Sequence, residues 1–231
     1  DYAEYYSQFP SHNTVCVDGI SSYPVMKSNH SFDLLSCFPA SAEPGKAFTS
    51  VTYSNLYFRE PESRADQTRM MSIVTTGAET GYYVDVFRSR KEKGGDKMHD
   101  YFYHNLGQTL TLTAADGSDL NLQPTEELAF AGAHLYAYSY LYDKKVAATN
   151  KDVKATFTID MKDKDGDDIY MNLWMKGEPD REIFTALAPM TEGLSRTPNM
   201  PYNIKEQPTL TFVARQHGEA WNRPFVSIYE P

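Results

Sequence analysis

The chain has 231 residues, of which 41% are hydrophobic and 23% charged, a composition typical of a globular protein rather than a disordered one. Its net charge of −9, from 22 basic and 31 acidic residues, argues against nucleic acid as a main partner. An acidic polysaccharide remains compatible, because Arg, Lys and His can be concentrated in one groove. No apolar run reaches the roughly 18 residues of a membrane span. Because the chain begins with Asp1, we expect a signal peptide, more protein or both upstream.

Alternation of apolar and polar residues with period two predicts strands in the first half of the chain. The first predicted strand is 14–17, which ends at the turn-forming pair Asp18-Gly19. Further strands are predicted over 48–58, 69–76, 82–88, 99–104 and 110–113. The short turn between 69–76 and 82–88 predicts a hairpin.

The second half continues the same pattern. Strands are predicted over 136–142, 155–162, 169–175, 181–187, 210–216 and 225–229. Residues 124–127 can cap at most one helical turn, and 191–208 reads as a long surface loop. About a dozen short strands and no long helix predict an all-β protein, a large antiparallel β-sandwich formed by residues 1–231 as one domain.

The two cysteines, Cys16 and Cys37, lie in no metal-binding spacing. We expect both to be free thiols in strands. A single Cys16–Cys37 bridge is the alternative, and it requires Cα atoms within about 7 Å of each other.

The loop 163–168 contains four aspartates and one glycine. It lacks the alternating register and the closing glutamate of an EF-hand, so a solvated acidic hairpin is favoured over a calcium site.

Alternation places His99, Tyr101 and Tyr103 on one face of a predicted strand, with Asp100, Phe102 and His104 on the other. Pointing outward, a histidine and two tyrosines could bind sugar or transfer protons. The alternative is a half-buried strand whose histidine satisfies a backbone group. His12 lies just before a strand, and with no second ligand beside it a structural role is favoured over metal binding.

Several segments, taken in order, resemble the heparinase II/III-like polysaccharide lyases. These are His12-Asn13-Thr14-Val15 followed by Val17-Asp18-Gly19, the strand 83–89 with Arg88, the strand 99–107, and the ending 223–231. The resemblance is spread over most of the chain.

The resemblance implies a C-terminal β-sandwich that follows an N-terminal α-helical toroid. It implies β-elimination on uronic-acid polysaccharides such as glycosaminoglycans or alginate, in a bacterial periplasmic or secreted enzyme. The helical region and its catalytic residues are absent from this chain, so we expect no catalytic residue and no activity in the fragment itself. The substrate-binding candidates are Arg88, His99, Tyr101 and Tyr103.

The resemblance also makes His12 a zinc ligand in the complete protein, while no zinc is expected in the fragment. The expected partners are an acidic polysaccharide and the helical domain, without nucleic acid or a membrane span. A non-catalytic carbohydrate-binding module and a purely structural domain are the alternative functions.

Overall fold

A computed structural model describes residues 2–20, 32–39, 50–129, 136–161, 166–191, 204 and 206–231. Within these ranges the chain forms fourteen strands in two sheets, and every strand pair is antiparallel. The large antiparallel β-sandwich predicted from the sequence is therefore confirmed.

One sheet has six strands in the order β1-β6-β13-β12-β9-β8. In that order the strands are Val15–Val17, Met98–Asn105, Thr209–His217, Arg181–Ala188, Tyr142–Ala148 and Gln123–Pro124. The other sheet has eight strands in the order β2-β3-β4-β5-β14-β11-β10-β7. These are Asp33–Phe38, Val51–Glu60, Ala65–Thr75, Gly81–Lys91, Ala220–Glu230, Ile169–Met175, Val153–Ile159 and Thr109–Ala114.

Short helical turns complete the described structure: a π-helical turn over Tyr2–Tyr6 and 3₁₀ turns over Phe9–Ser11 and Tyr136–Tyr140. The last of these corrects the strand predicted over 136–142. The backbone N–H of Leu141 donates to the Tyr138 carbonyl at 3.2 Å, the i→i+3 hydrogen bond of a 3₁₀ turn, and Ala137 and Tyr138 are buried. Burial of this aromatic segment against the six-stranded sheet therefore overrides its β propensity.

Two further segments differ from the sequence prediction. The structure places the two-residue strand β8 at Gln123–Pro124, where only a helical turn was considered. Strand β2 was not predicted, because its sequence does not alternate. In the structure it pairs with β3, with a bulge between Leu34 and Ser36. Half of the loop 163–168 and most of the loop 191–208 lie outside the described residues.

The two sheets enclose the main hydrophobic core, which includes Tyr101, Phe157, Leu173, Phe212 and Phe225. The opposite face of the six-stranded sheet is also covered, by the N-terminal turn, the 3₁₀ turn and Leu128. Seven consecutive residues of β13 are consequently buried. In the eight-stranded sheet, in contrast, buried inward-facing residues alternate along the strand with partly or fully exposed outward-facing ones, as β5 shows. The outer face of this sheet therefore meets solvent.

The cysteines are unpaired, as predicted: Cys16 is buried in β1 and Cys37 is half-buried in β2. In the part of the chain that the structure describes, no helix is long and apolar enough to cross a membrane.

Candidate functional site

The segment that precedes β1 is tied to both sheets through Asn13. The Asn13 side chain accepts a hydrogen bond from the backbone N–H of His104 at 2.7 Å and donates one to the His104 carbonyl at 3.5 Å. The Asn13 carbonyl accepts a hydrogen bond from Nη1 of Arg69, on β4, at 2.9 Å. These contacts fix the backbone next to His12, so the position of that histidine is set by both sheets.

His104 also anchors the segment that precedes β1. One of its ring nitrogens, Nε2, donates to the carbonyl of Pro10 at 2.8 Å, and Nδ1 accepts from the Thr211 hydroxyl at 2.9 Å. Burial lowers the pKa of His104 to about 4. His104 is therefore neutral at pH 7 and serves as a structural connection between the N-terminal segment and β13.

His12 itself is exposed at the rim of a cavity of about 450 Å³ between the N-terminal segment and the inner face of β3, β4 and β5. The cavity wall is mainly apolar and includes four phenylalanines: Phe9, Phe32, Phe58 and Phe87. The surrounding protein lowers the pKa of His12 by desolvation. A neutral imidazole at this rim can accept a proton or bind a metal ion.

Arg69 is the cation of this cavity, but its charge is already balanced. Its Nε donates to Oδ1 of Asp85 at 3.0 Å and its Nη2 to Oδ2 at 2.7 Å, a bidentate pair. The carboxylate also accepts a hydrogen bond from the buried Tyr101 hydroxyl at 2.9 Å. Although burial opposes it, the contact with Asp85 raises the pKa of the Arg69 guanidinium. Arg69 is thus committed to the protein interior rather than free for a substrate.

The sequence analysis did not find this pair. The sequence feature that could have indicated it is Asp85, which lies in the middle of an alternating strand on the same face as the apolar Phe87. A carboxylate on such a buried face needs a buried partner.

The face of β6 that was predicted to bind sugar points into the core between the sheets, not outward into solvent. His99 and Tyr101 are fully buried between the sheets, and Tyr103 is half-buried with its ring 4.9 Å from that of Tyr229. Nε2 of His99 lies 2.9 Å from Oδ1 of Asp96. The alternation along β6 was predicted correctly, but the outward orientation was wrong. The alternation cannot identify a solvent face here, because both faces of this sheet are covered.

Arg88, the fourth predicted binding residue, is not close to the other three. It lies on the outer face of the eight-stranded sheet, where its Nη1 donates to the carbonyl of Trp221. The structure therefore separates the predicted substrate-binding set into three side chains inside the sandwich and one on its surface.

The zinc expectation concerns His12. Within the described ranges, no group of three His, Cys, Asp or Glu side chains could hold a metal ion together. Zinc requires about four ligands, so the described residues by themselves do not fit a zinc centre.

No protein-family model matches the chain. The chain is 32% identical over 183 residues to a protein of Formosa agariphila named endo-acting ulvan lyase. The match covers 78% of this chain and 21% of that enzyme, so the chain spans about a fifth of its relative's length. The protein is thus related in sequence to a polysaccharide lyase.

Proposed function

We propose that the chain is the β-sandwich part of a polysaccharide lyase that cleaves uronic-acid-containing polysaccharides by β-elimination. The observation that carries this proposal is the 32% identity to an endo-acting ulvan lyase over 78% of the chain. We further propose that the protein belongs with the heparinase II/III-like lyases, as the His12-Asn13-Thr14-Val15 segment suggested. The relation to a lyase does not favour the alternative of a non-catalytic binding module.

β-Elimination makes two demands on a protein. A base must remove the proton next to the uronate carboxylate, and the charge of that carboxylate must be offset. At the rim of the cavity, His12 is the residue proposed below as a zinc ligand, and an imidazole nitrogen bound to a metal cannot also remove a proton. The nearby guanidinium of Arg69 is paired with Asp85 and does not offset a second carboxylate. Neither His12 nor Arg69 thus supplies one of these two functions, which supports the proposal that the chain alone is inactive.

The test compares the 231-residue chain with the full-length product of its gene. Both are incubated with ulvan, heparan sulfate and alginate, and the unsaturated uronate product is followed by its near-ultraviolet absorbance. We expect product from the full-length protein only, and less of it after His12→Ala. Activity of the short chain would disprove the inactive-fragment proposal. A full-length protein inactive on all three polysaccharides would contradict the lyase assignment.

We also propose that zinc binds the complete protein with His12 as one ligand. A single imidazole gives weak affinity, so the remaining ligands must come from residues other than those described. Elemental analysis after dialysis should find zinc in the full-length protein and not after His12→Ala. Zinc retained in that variant would show that His12 is not a ligand.

The proposed partners are an acidic polysaccharide and a helical domain of the same protein. The proposed location is the bacterial periplasm or the extracellular medium, where such polymers are accessible to an enzyme.

A further inference from the structure

Both tryptophans of the chain, Trp174 and Trp221, lie on the outer face of the eight-stranded sheet rather than in either core. On β11, Leu173 and Met175 are buried, so the alternation turns Trp174 outward. Ala220 is buried against Ser89, and Trp221 follows it at the start of β14. Both indole rings are half-buried, so each keeps part of its surface in solvent.

Each indole ring is held by a cation. The Lys154 ammonium is 4.7 Å from the Trp174 ring centre, and the Arg90 guanidinium is 4.2 Å from that of Trp221. The Trp174 Nε1–H also donates to Glu230 at 3.3 Å. The rings are therefore already ordered, which lowers the entropy cost of binding a ligand to them.

The positive charges of this surface are not neutralised by ion pairs. Among the described residues, no carboxylate lies within ion-pair distance of Arg88, Arg90 or Lys154, in contrast to Arg69 and Arg215, whose partners are aspartates. Asp66, the register partner of Arg90, accepts a hydrogen bond from the Tyr57 hydroxyl at 2.7 Å. On a chain of net charge −9, an anionic polymer is attracted where such unpaired cations are grouped.

The surface between the two tryptophans carries aliphatic side chains and Arg88. Trp174 is level with Ile228 and Val84, and Trp221 lies beside the Ala220–Ser89 pair. From Val84 to Ser89 is five residues, so the rings are separated by about 17 Å along the strands. The side chains between them include Val84, Val86, Val226 and Ile228. An oligosaccharide of a few sugar units can span this distance, with one indole ring in contact with each end.

We propose that this outer face, defined by Trp174, Trp221, Arg88, Arg90 and Lys154, binds acidic polysaccharide at a site separate from the His12 cavity. The His12 cavity opens on the inner face of the same sheet, so the two sites are on opposite sides of it. The indole rings stack on pyranose C–H faces, and the cations bind carboxylate or sulfate groups. The inference rests on the proposed function for its ligand class, but not for the position of the site.

Intrinsic fluorescence tests the proposal directly, because the only two tryptophans of the chain belong to the site. Ulvan oligosaccharides, polygalacturonate and neutral dextran are each titrated into the 231-residue chain. We expect a saturable blue shift with the two acidic glycans, weakened as salt screens the cations, and none with dextran. An unchanged spectrum with both acidic glycans overturns the proposal. Equal shifts with dextran and the acidic glycans also overturn it.

Variants locate the site independently of any elimination activity. Affinity electrophoresis in ulvan gels should show binding weakened roughly fivefold or more by Trp174→Ala and by the double change Arg88→Gln with Arg90→Gln. The control is Tyr142→Ala, an exposed aromatic residue on the six-stranded sheet, which should bind like the unchanged protein. Binding unaffected by the site variants overturns the proposal. Because these assays measure binding alone, failure of the lyase assignment would appear only in the product assay.

Discussion

Buried aspartate–arginine pairs are the residues on which this sandwich most depends. Asp85 pairs with Arg69 between the two sheets. On the covered face of the six-stranded sheet, Nε and Nη2 of Arg215 donate to the two carboxylate oxygens of Asp100 at 2.7 and 3.0 Å. Both aspartates are fully or almost fully buried. A buried charge is tolerated only with a partner of good geometry, so each pair has to be kept or lost as a unit.

We predict that Asp85→Asn destabilises the protein severely. The amide keeps the shape but removes the charge, which leaves the Arg69 guanidinium without compensation at a cost of about 3–5 kcal/mol. Urea unfolding of the variant followed by circular dichroism gives the change in free energy. The matched control is Asp116→Asn, since Asp116 is exposed and pairs with an exposed lysine, Lys151, and its midpoint should stay unchanged. Equal midpoints for the two variants would contradict the importance of the buried pair.

The N-terminal turn is an integral element of the sandwich rather than a loose extension. Tyr5 is buried, and its ring centre lies 5.2 Å from that of Tyr6 and 5.5 Å from that of Tyr140. Together with Phe102 and Phe184 it belongs to the second core, on the outer face of the six-stranded sheet. This cover gives that sheet two buried faces.

We therefore predict that Tyr5→Ala lowers the free energy of unfolding by about 3 kcal/mol, the usual cost of deleting a buried aromatic side chain. The control Tyr142→Ala removes a tyrosine that is 49% exposed, and we expect it to cost less than about 1 kcal/mol. Thermal and urea unfolding of both variants measure the difference. A variant at Tyr5 as stable as the control would mean that the turn does not contribute to the core.

At the scale of the whole molecule, stability should fall in mild acid because buried histidines are neutral in the folded state. The pKa of His104 is lowered to about 4 by burial, against 6.5 in the unfolded chain. The unfolded state therefore takes up a proton first as the pH falls. His104 contributes its full stabilisation above pH 6.5, and this is lost as the pH approaches 4.

For His104 alone we predict a loss of about 2 kcal/mol between pH 7 and pH 4.5. His104→Gln can still donate to Pro10 and accept from Thr211, and it does not titrate, so the variant should lack this part of the pH dependence. Urea unfolding at pH 7, 5.5 and 4.5 compares the two proteins. The same loss in the variant would assign the acid sensitivity to other groups, such as His99, whose pKa is also lowered by burial.

The sequence by itself determined the fold class and most strands, because period-two alternation is a local property that each segment carries independently. Strands such as β5 and β6 and the hairpin of β4 with β5 were predicted from their own residues. The 3₁₀ turn at Tyr136–Tyr140 could not be predicted, since tyrosine favours strands and only the burial of Ala137 and Tyr138 against the sheet decides otherwise.

The tertiary structure alone decided which face of each strand meets solvent. Alternation places His99 and Tyr101 on one face of β6, and it separates Arg88 from Phe87 on β5. It does not indicate whether either face is covered by other parts of the protein. Packing of the sheets buries the first two and exposes the surface around Arg88. The juxtaposition of His12 with Arg69, and of Arg90 with Trp221, joins residues far apart in the chain. Such contacts depend on strand order and sheet packing, which no single segment of the sequence specifies.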